Sequence, residues 1–250
     1  MTDKHILKIE NLKKSFGGVH AVDGCSVEVP RGKITALIGP NGSGKTTVFN
    51  LISGTIKADG GKIIFNDKKI SNLSPEVISN LGISRVFQQS RLFVNLSVFD
   101  NLLIAFDNED QKFWKSVLGL NSTVRHDKEK VIKEMLESVR LGHMLDKPAK
   151  DLSFGQKRLA ELLRAMINPH DLLMLDEPIA GVTPELRDKI RGILSGVRGK
   201  GETVLLIEHD MNFTLRVADY VVVMDAGKVI ASGSPDEIKT NSKVLEAYLD

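Results

Sequence analysis

The sequence predicts an α/β protein built on a mainly parallel sheet, and three observations carry that expectation. Short β-rich runs alternate with helical ones along the chain. Leu172 to Leu175, Thr203 to Ile207 and Tyr220 to Met224 are apolar on both faces, as strands buried in a parallel sheet are. The apolar run Ile34 to Ile38 ends in a glycine-rich turn, and a helical pattern starts at Lys45. Taken in order, the first 35 or so residues read as antiparallel strands, with turns at Gly17-Gly18 and Pro30-Arg31-Gly32. Gly61 to Asn66 reads the same way, so an antiparallel β part is expected at about 4–35 and 61–70. From about 100 to 165 strand signals are missing, and a helical subdomain is expected as an insertion in the α/β core. Within it, Lys128 to Leu145 places Val131, Met135 and Val139 at i+4 spacing, an amphipathic helix with Gly142 near its end. Ser234-Pro235-Asp236-Glu237 should cap a last helix, with serine at the cap and proline in the first turn.

At 250 residues the whole chain fits one large domain with subdomains. It is 42% hydrophobic and 26% charged, as soluble globular proteins are. Lysine and arginine number 34 against 32 acids, a net charge of +2, so no broad basic field is available for nucleic acid or an anionic bilayer. Cys25 is the only cysteine, which excludes an internal disulfide and a cysteine metal site, and suits a small buried apolar role. The N-terminal residues lack the apolar stretch of a secretory signal. The longest apolar runs fall far short of the roughly 20 residues that span a bilayer. The expectation is a protein in the cytosol or docked on a membrane face.

Chemistry concentrates at the end of three strands. Gly39-Pro40-Asn41-Gly42-Ser43-Gly44-Lys45-Thr46 matches the phosphate-loop pattern G-x-x-x-x-G-K-[ST] at every position. Glycines let successive backbone N–H groups converge on phosphate oxygens, and the following helix points its positive end at the same anion. Lys45 would reach the β- and γ-phosphates of ATP, and the Thr46 hydroxyl would coordinate Mg2+. Leu172 to Asp176-Glu177 is an apolar strand that ends in two acids, a costly arrangement unless the charges are paired or bound to a cation. Magnesium on the nucleotide supplies such a cation: Asp176 would hold it through water, and Glu177, facing the other way, would meet the attacking water. His209 follows the strand Thr203 to Ile207 and is read as a γ-phosphate sensor, against the plainer reading of a structural histidine. In these residues the core resembles P-loop NTPases of RecA-like type, and that fold is expected for it.

With Leu152-Ser153-Phe154-Gly155-Gln156 added, the ordered set resembles the ATP-binding subunit of an ABC transporter over essentially the whole chain. The resemblance implies further roles. Val86-Phe87-Gln88 is similar to the family's Q-loop, whose glutamine contacts magnesium and the membrane partner; the adjacent Gln89 leaves a one-residue ambiguity. Leu152 to Gln156 is similar to the signature motif, which would place Ser153, Gly155 and Gln156 on the nucleotide of a second subunit. Phe16 matches the aromatic that stacks on adenine, the alternative being a core phenylalanine, and Thr47 belongs to the nucleotide loop. Two positions depart from the usual pattern: Phe154 stands where glycine is common, and Thr183 where an aspartate helps couple the two sites.

Gln89 to Phe93, Asn95 to Val98, Asn101 to Ala105, Ile207 to Met211 and Val244 to Leu249 look like the subunits of branched-chain amino-acid importers, as does the insertion around 107–127. Related branches serve urea or short amides, or export lipopolysaccharide. The resemblance implies two cassettes, identical or paralogous, sandwiching two ATP molecules, with catalysis by Glu177, His209 and Lys45. It also implies two separate permease subunits, indirectly a solute-binding protein, and a position on the cytoplasmic side of the membrane. Phe113-Trp114 and the residues after Gln88 are the expected docking surface. A chromosome-organising or translation ATPase of the same superfamily would need long coiled coils or two ATPase halves, and a small-metabolite kinase would not explain Leu152 to Gln156.

Overall fold

The protein is described by a computed structural model covering residues 4–86, 92–106 and 122–249. The described residues fall into two compact units, one formed by 4–85, 171–177 and 191–249, the other by 86, 92–106, 122–170 and 178–190. The second unit therefore starts earlier than the insertion read from the sequence and also takes in residues 178–190.

The first unit holds two sheets. Strand β1 (His5–Phe16) pairs antiparallel with β2 (Val19–Pro30), and the two-residue turn between them is Gly17-Gly18, with φ of 51° and 89°. Both angles are in the left-handed region that glycine enters without a Cβ penalty. The core of this unit is organised by β3 (Ile34–Ile38), in which every residue is buried, followed by helix α1 (Lys45–Ile52). Strands β4 (Gly60–Phe65) and β5 (Lys68–Lys69) complete the small sheet in the order β2-β1-β4-β5. Helix α2 (Pro75–Asn80) leads to β6 (Ile83–Val86), the edge of the larger sheet.

The larger sheet contains β7 (Leu172–Asp176), β8 (Thr203–Ile207), β9 (Tyr220–Asp225) and β10 (Lys228–Gly233), in the order β10-β9-β3-β8-β7-β6. β3 runs parallel to both β8 and β9, and β7 parallel to β8; β10 returns antiparallel. The registers matter most. Leu37 lies opposite Ile207, and Ile207 opposite Asp176. The loops after β3, β7 and β8 therefore leave the same carboxyl edge, where open parallel sheets place their ligands. α1 buries Val48, Phe49, Leu51 and Ile52 in a cluster shared with Leu37, Met174, Leu205 and Ile207. Burying Phe49 alone is worth about 2–3 kcal/mol, which fixes the helix against the sheet that carries the site.

In the second unit, α3 (Val98–Leu103) is capped by Ser97, whose Oγ accepts from Asp100 N–H at 2.9 Å. Asn101, 1% exposed, pins the preceding loop: its Oδ1 accepts from Phe93 N–H at 2.8 Å, and its amide donates to the carbonyls of Phe93 at 3.0 Å and Ser97 at 2.9 Å. Helix α4 (Ser122–Ser138) corrects two expectations. The inward stripe is Ile132, Leu136 and Val139, each at most 1% exposed, while Val131 is 41% exposed. The bulkier spacing i, i+4, i+7 lies one residue round the helix from the stripe at Val131 and Met135. The helix also ends before Gly142. Arg140 takes φ 58°, its N–H donates to Glu137 O at 2.9 Å and Leu141 N–H to Leu136 O at 2.7 Å, a Schellman stop made without glycine. Gly142 instead begins a short 3-10 turn, Gly142–Met144.

Helix α5 (Phe154–Ile167) and α6 (Pro184–Gly199) follow, then α7 (Met211–Val217) after β8. Ser234 caps α8 (Pro235–Lys239) in a reciprocal box with Glu237, yet this is the penultimate helix: α9 (Ser242–Leu249) comes after it. Thr240 and Asn241 break the run, and Asn241 Oδ1 accepts from Lys243 N–H at 3.1 Å to start the new helix. Among the described residues no helix is long and apolar enough to cross a membrane.

Candidate functional site

The loop between β3 and α1 is shaped by close approaches that exclude side chains. At Gly39, φ 149°, a Cβ would sit 2.0 Å from the Met224 carbonyl oxygen. At Gly44, φ 100°, it would sit 2.3 Å from the Ala21 carbonyl oxygen. Any larger residue would push β2 or β9 away from the loop. Lys45, 5% exposed, folds over this turn: its Nζ donates to the carbonyls of Gly39 and Pro40, both at 2.8 Å, and to Ser43 Oγ at 3.3 Å. Burial draws the ammonium below the ordinary lysine range, while the carboxylates of Glu177 and then Asp176 pull it back up.

A cleft of about 350 Å3 opens over the loop, at the lower end of the size that small-molecule sites occupy. The loop residues Asn41, Gly42, Gly44, Lys45, Thr46 and Thr47 line it together with Ala21, Glu177 and His209. Glu177 arrives there by an unusual backbone. Its φ is 48°, and its N–H donates to Ile207 O at 3.0 Å, extending the β7–β8 pairing by one residue. A non-glycine residue held in the left-handed region is a store of strain of a kind that gathers at working sites. The side chain meets His209, whose Nε2 hydrogen-bonds Glu177 Oε1. His209 is itself set between two anchors. Glu208, 3% exposed, accepts from His209 N–H at 3.2 Å, and Asp210 Oδ1 caps α7 by accepting from Phe213 N–H at 2.9 Å.

Asp176 is 4% exposed, and its Oδ2 accepts from Arg85 Nη2 at 3.0 Å. The sequence reading missed Arg85 and gave magnesium the whole task of compensating this carboxylate. The signal was a lone cation inside the otherwise uncharged strand Ile83 to Val86. Phe16 is 49% exposed at the tip of the β1–β2 turn with Lys14 Nζ 5.3 Å from its ring centroid, which removes the core alternative; it does not line the cleft. Gln88 and Gln89 lie outside the described residues, as do Phe113 and Trp114.

The donors present fit a hard cation held together with a nucleotide. The exposed Thr46 hydroxyl and the Asp176 carboxylate are oxygen donors, and two are too few for an all-protein cage. No group of three or more metal-binding side chains occurs among the described residues. Mg2+ takes few protein ligands and completes its shell with phosphate and water, so the pair suits it.

The remaining predicted contacts lie in the second unit. Ser153 Oγ accepts from Gln156 N–H at 3.3 Å and Gln156 Oε1 accepts from Ser153 N–H at 2.8 Å, a capping box that opens α5. Gly155 is buried with Leu186 Cδ1 2.2 Å from where a Cβ would stand, and Phe154, 63% exposed, lies against Gly181.

A parallel sheet, a glycine loop closing on a lysine, and a carboxylate–histidine pair at the same edge define a P-loop ATPase. A family model described as ABC transporter matches residues 22–180, more than half of the chain, and one described as branched-chain amino acid ATP-binding cassette transporter matches 228–249. The chain belongs to the ABC transporter ATP-binding family. It is 41% identical to a probable branched-chain amino acid transport ATP-binding protein LivG of Archaeoglobus fulgidus, covering 98% of this chain and 95% of the relative. It is 35% identical to the high-affinity branched-chain amino acid transport ATP-binding protein BraF of Pseudomonas aeruginosa, covering 98% and 97%. Among solved structures, the ADP conformation of an ABC transporter cassette aligns with a TM-score of 0.83 at 36% identity over 99% of both chains. A nucleotide-free cassette aligns at 0.81 and 37%, over 98% of this chain and 99% of that one.

Proposed function

We propose that this chain hydrolyses ATP to power the uptake of branched-chain amino acids, or a closely related small polar solute, through separate membrane subunits. The observation that carries the hydrolytic part is Glu177, held at φ 48° in the lining of the loop cleft with its carboxylate on His209. The solute is supported by the match over 228–249 and by the full-length relatives.

In this reading Gly39 to Thr47 bind the phosphates, the amino end of α1 faces them, and Lys45 turns its ammonium to the β- and γ-oxygens. Glu177 orients the attacking water and accepts its hydrogen bond, and His209 holds the γ-phosphate in line. Thr46, Asp176 and Gln88 would hold Mg2+, which would supply neutralisation of phosphate charge when bound. Phe16 would stack on the adenine. A second cassette, identical or paralogous, would bring its Ser153, Gly155 and Gln156 to the same nucleotide, so that closure completes the site. Two permease subunits would hold the pair at the cytoplasmic face of the membrane, with a solute-binding protein on the far side. The near-neutral charge of +2 gives no support to a nucleic-acid partner.

The test is reconstitution with the permease subunits and solute-binding protein in lipid vesicles. Leucine, isoleucine or valine should stimulate ATP hydrolysis, and the Glu177→Gln variant should accumulate an ATP-bound dimer without turnover. Stimulation by urea or short amides instead would reassign the solute. A Glu177→Gln protein turning over at the parental rate would remove Glu177 from its role.

A further inference from the structure

Arg85 stands in β6 between Ser84 and Val86, with a side chain only 7% exposed. Three acceptors converge on its guanidinium. Nη1 donates to Asn50 Oδ1 at 2.9 Å and to Ser53 Oγ at 2.7 Å, and Nη2 donates to Asp176 Oδ2 at 3.0 Å. The guanidinium carbon also lies 5.6 Å from the centroid of the Phe49 ring. Asn50 and Phe49 belong to α1, and Ser53 is its carboxyl cap. One planar cation therefore fastens the carboxyl-terminal turn of α1 to the end of β7.

Those two elements carry Thr46 and Asp176, two of the three side chains that would hold Mg2+. A cation near Asp176 would be enough to offset its charge. Two further acceptors on a different element and a ring face beneath the guanidinium do something more: they leave the plane of the group no freedom to turn. We propose that Arg85 is a positioning residue for the metal site, fixing the orientation of the Asp176 carboxylate and its distance from α1. This rests on the reading of Asp176 as a metal-holding residue. Outer-shell partners of ligating carboxylates are worth about 10–100-fold in metal affinity, which sets the size of the effect. Lysine does not replace the fork, because its three donors radiate from one nitrogen, whereas the acceptors here are divided between Nη1, which serves α1 and its cap, and Nη2, which serves Asp176.

The experiment uses the full chain with ADP and Mn2+ as the metal probe. Calorimetry gives ADP affinity in EDTA, and electron paramagnetic resonance gives Mn2+ affinity at saturating ADP. Arg85→Lys keeps the charge; it should bind ADP in EDTA within about 2-fold of the parent yet lose about 10-fold in Mn2+ affinity. Arg85→Gln, which keeps a donor without the charge, should lose affinity in the same direction. Parental Mn2+ affinity in Arg85→Lys, or tighter binding in Arg85→Gln, would show that Arg85 is a counter-charge alone and overturn the proposal. Asp176→Asn separates the two levels. If it retains Mn2+, the metal-site reading itself is wrong. If it loses Mn2+, Arg85→Lys on that background should have no further effect on what remains.

Discussion

Glu177 offers a sharp test because its backbone angle reverses an ordinary preference. At an unstrained position alanine is more stable than glycine by about 0.4–1 kcal/mol, since glycine loses more freedom on folding. At φ 48° the order should invert. A Cβ in the left-handed region costs roughly 1–2 kcal/mol, and glycine escapes that cost. Glu177→Ala and Glu177→Gly lose the same carboxylate and the same contact with His209, so their difference isolates the backbone. Setting the strain against glycine's entropy leaves Glu177→Gly more stable by about 1 kcal/mol. With a urea slope of about 2.5 kcal/mol per M, the midpoint of unfolding should lie about 0.4 M higher for the glycine variant. Urea titration of both proteins, followed by circular dichroism, measures this directly. An alanine variant with an equal or higher midpoint would refute the strain, whatever the two do to catalysis. Both should lose ATP hydrolysis by about 10²–10⁴-fold if Glu177 acts on the attacking water as proposed, because glycine relieves the backbone but does not restore the carboxylate.

Other expectations follow from burial. Cys25 is fully buried, and desolvation pushes its thiol from 9.0 up to about 12. The folded state holds that proton more tightly than the unfolded chain, so its contribution is complete below about pH 9 and is lost as pH rises towards 12. At pH 10 the loss should be about 1.4 kcal/mol, or roughly 3–6 °C in Tm, and Cys25→Ala should lack that component in a calorimetric pH series. In α4, Leu136→Ala should cost about 2–5 kcal/mol while Val131→Ala stays within about 0.5 kcal/mol in chemical denaturation. Asn101→Ala breaks the bonds that hold Phe93 and Ser97, and should raise amide exchange at 93–97 by at least about 5-fold, one buried hydrogen bond being worth about 1 kcal/mol.

The sequence was most legible where geometry is local. The phosphate loop, the turn at Gly17-Gly18 and the three apolar strands each follow from residues adjacent in the chain, and each stands where expected. The position of His209 beside the cleft was legible because it lies just past a strand end. Arg85 was not found, since its meaning depends on Asp176 and Asn50, which are distant in sequence and meet only once the sheet is ordered. The stripe of α4 was read correctly at Val139 but one residue off before it, because Val131-Ile132 and Met135-Leu136 are paired apolar steps, and only packing chooses between the two faces. Its end was misplaced because glycine is the usual left-handed stop, and here Arg140 takes that conformation.

The alignment of Leu37, Ile207 and Asp176 across three strands sets where chain length can vary. Helices such as α6 lie in the chain between one strand and the next, and a turn added or removed there can be absorbed before the following strand begins. No such slack exists past the paired edge. Glu177 is the residue next after Asp176, and His209 the second after Ile207. A single insertion at either point would carry the side chain to the opposite face of the sheet, and no repacking elsewhere could return it. Among related chains, gaps should therefore collect in the helical connections and stop short of these two strand ends.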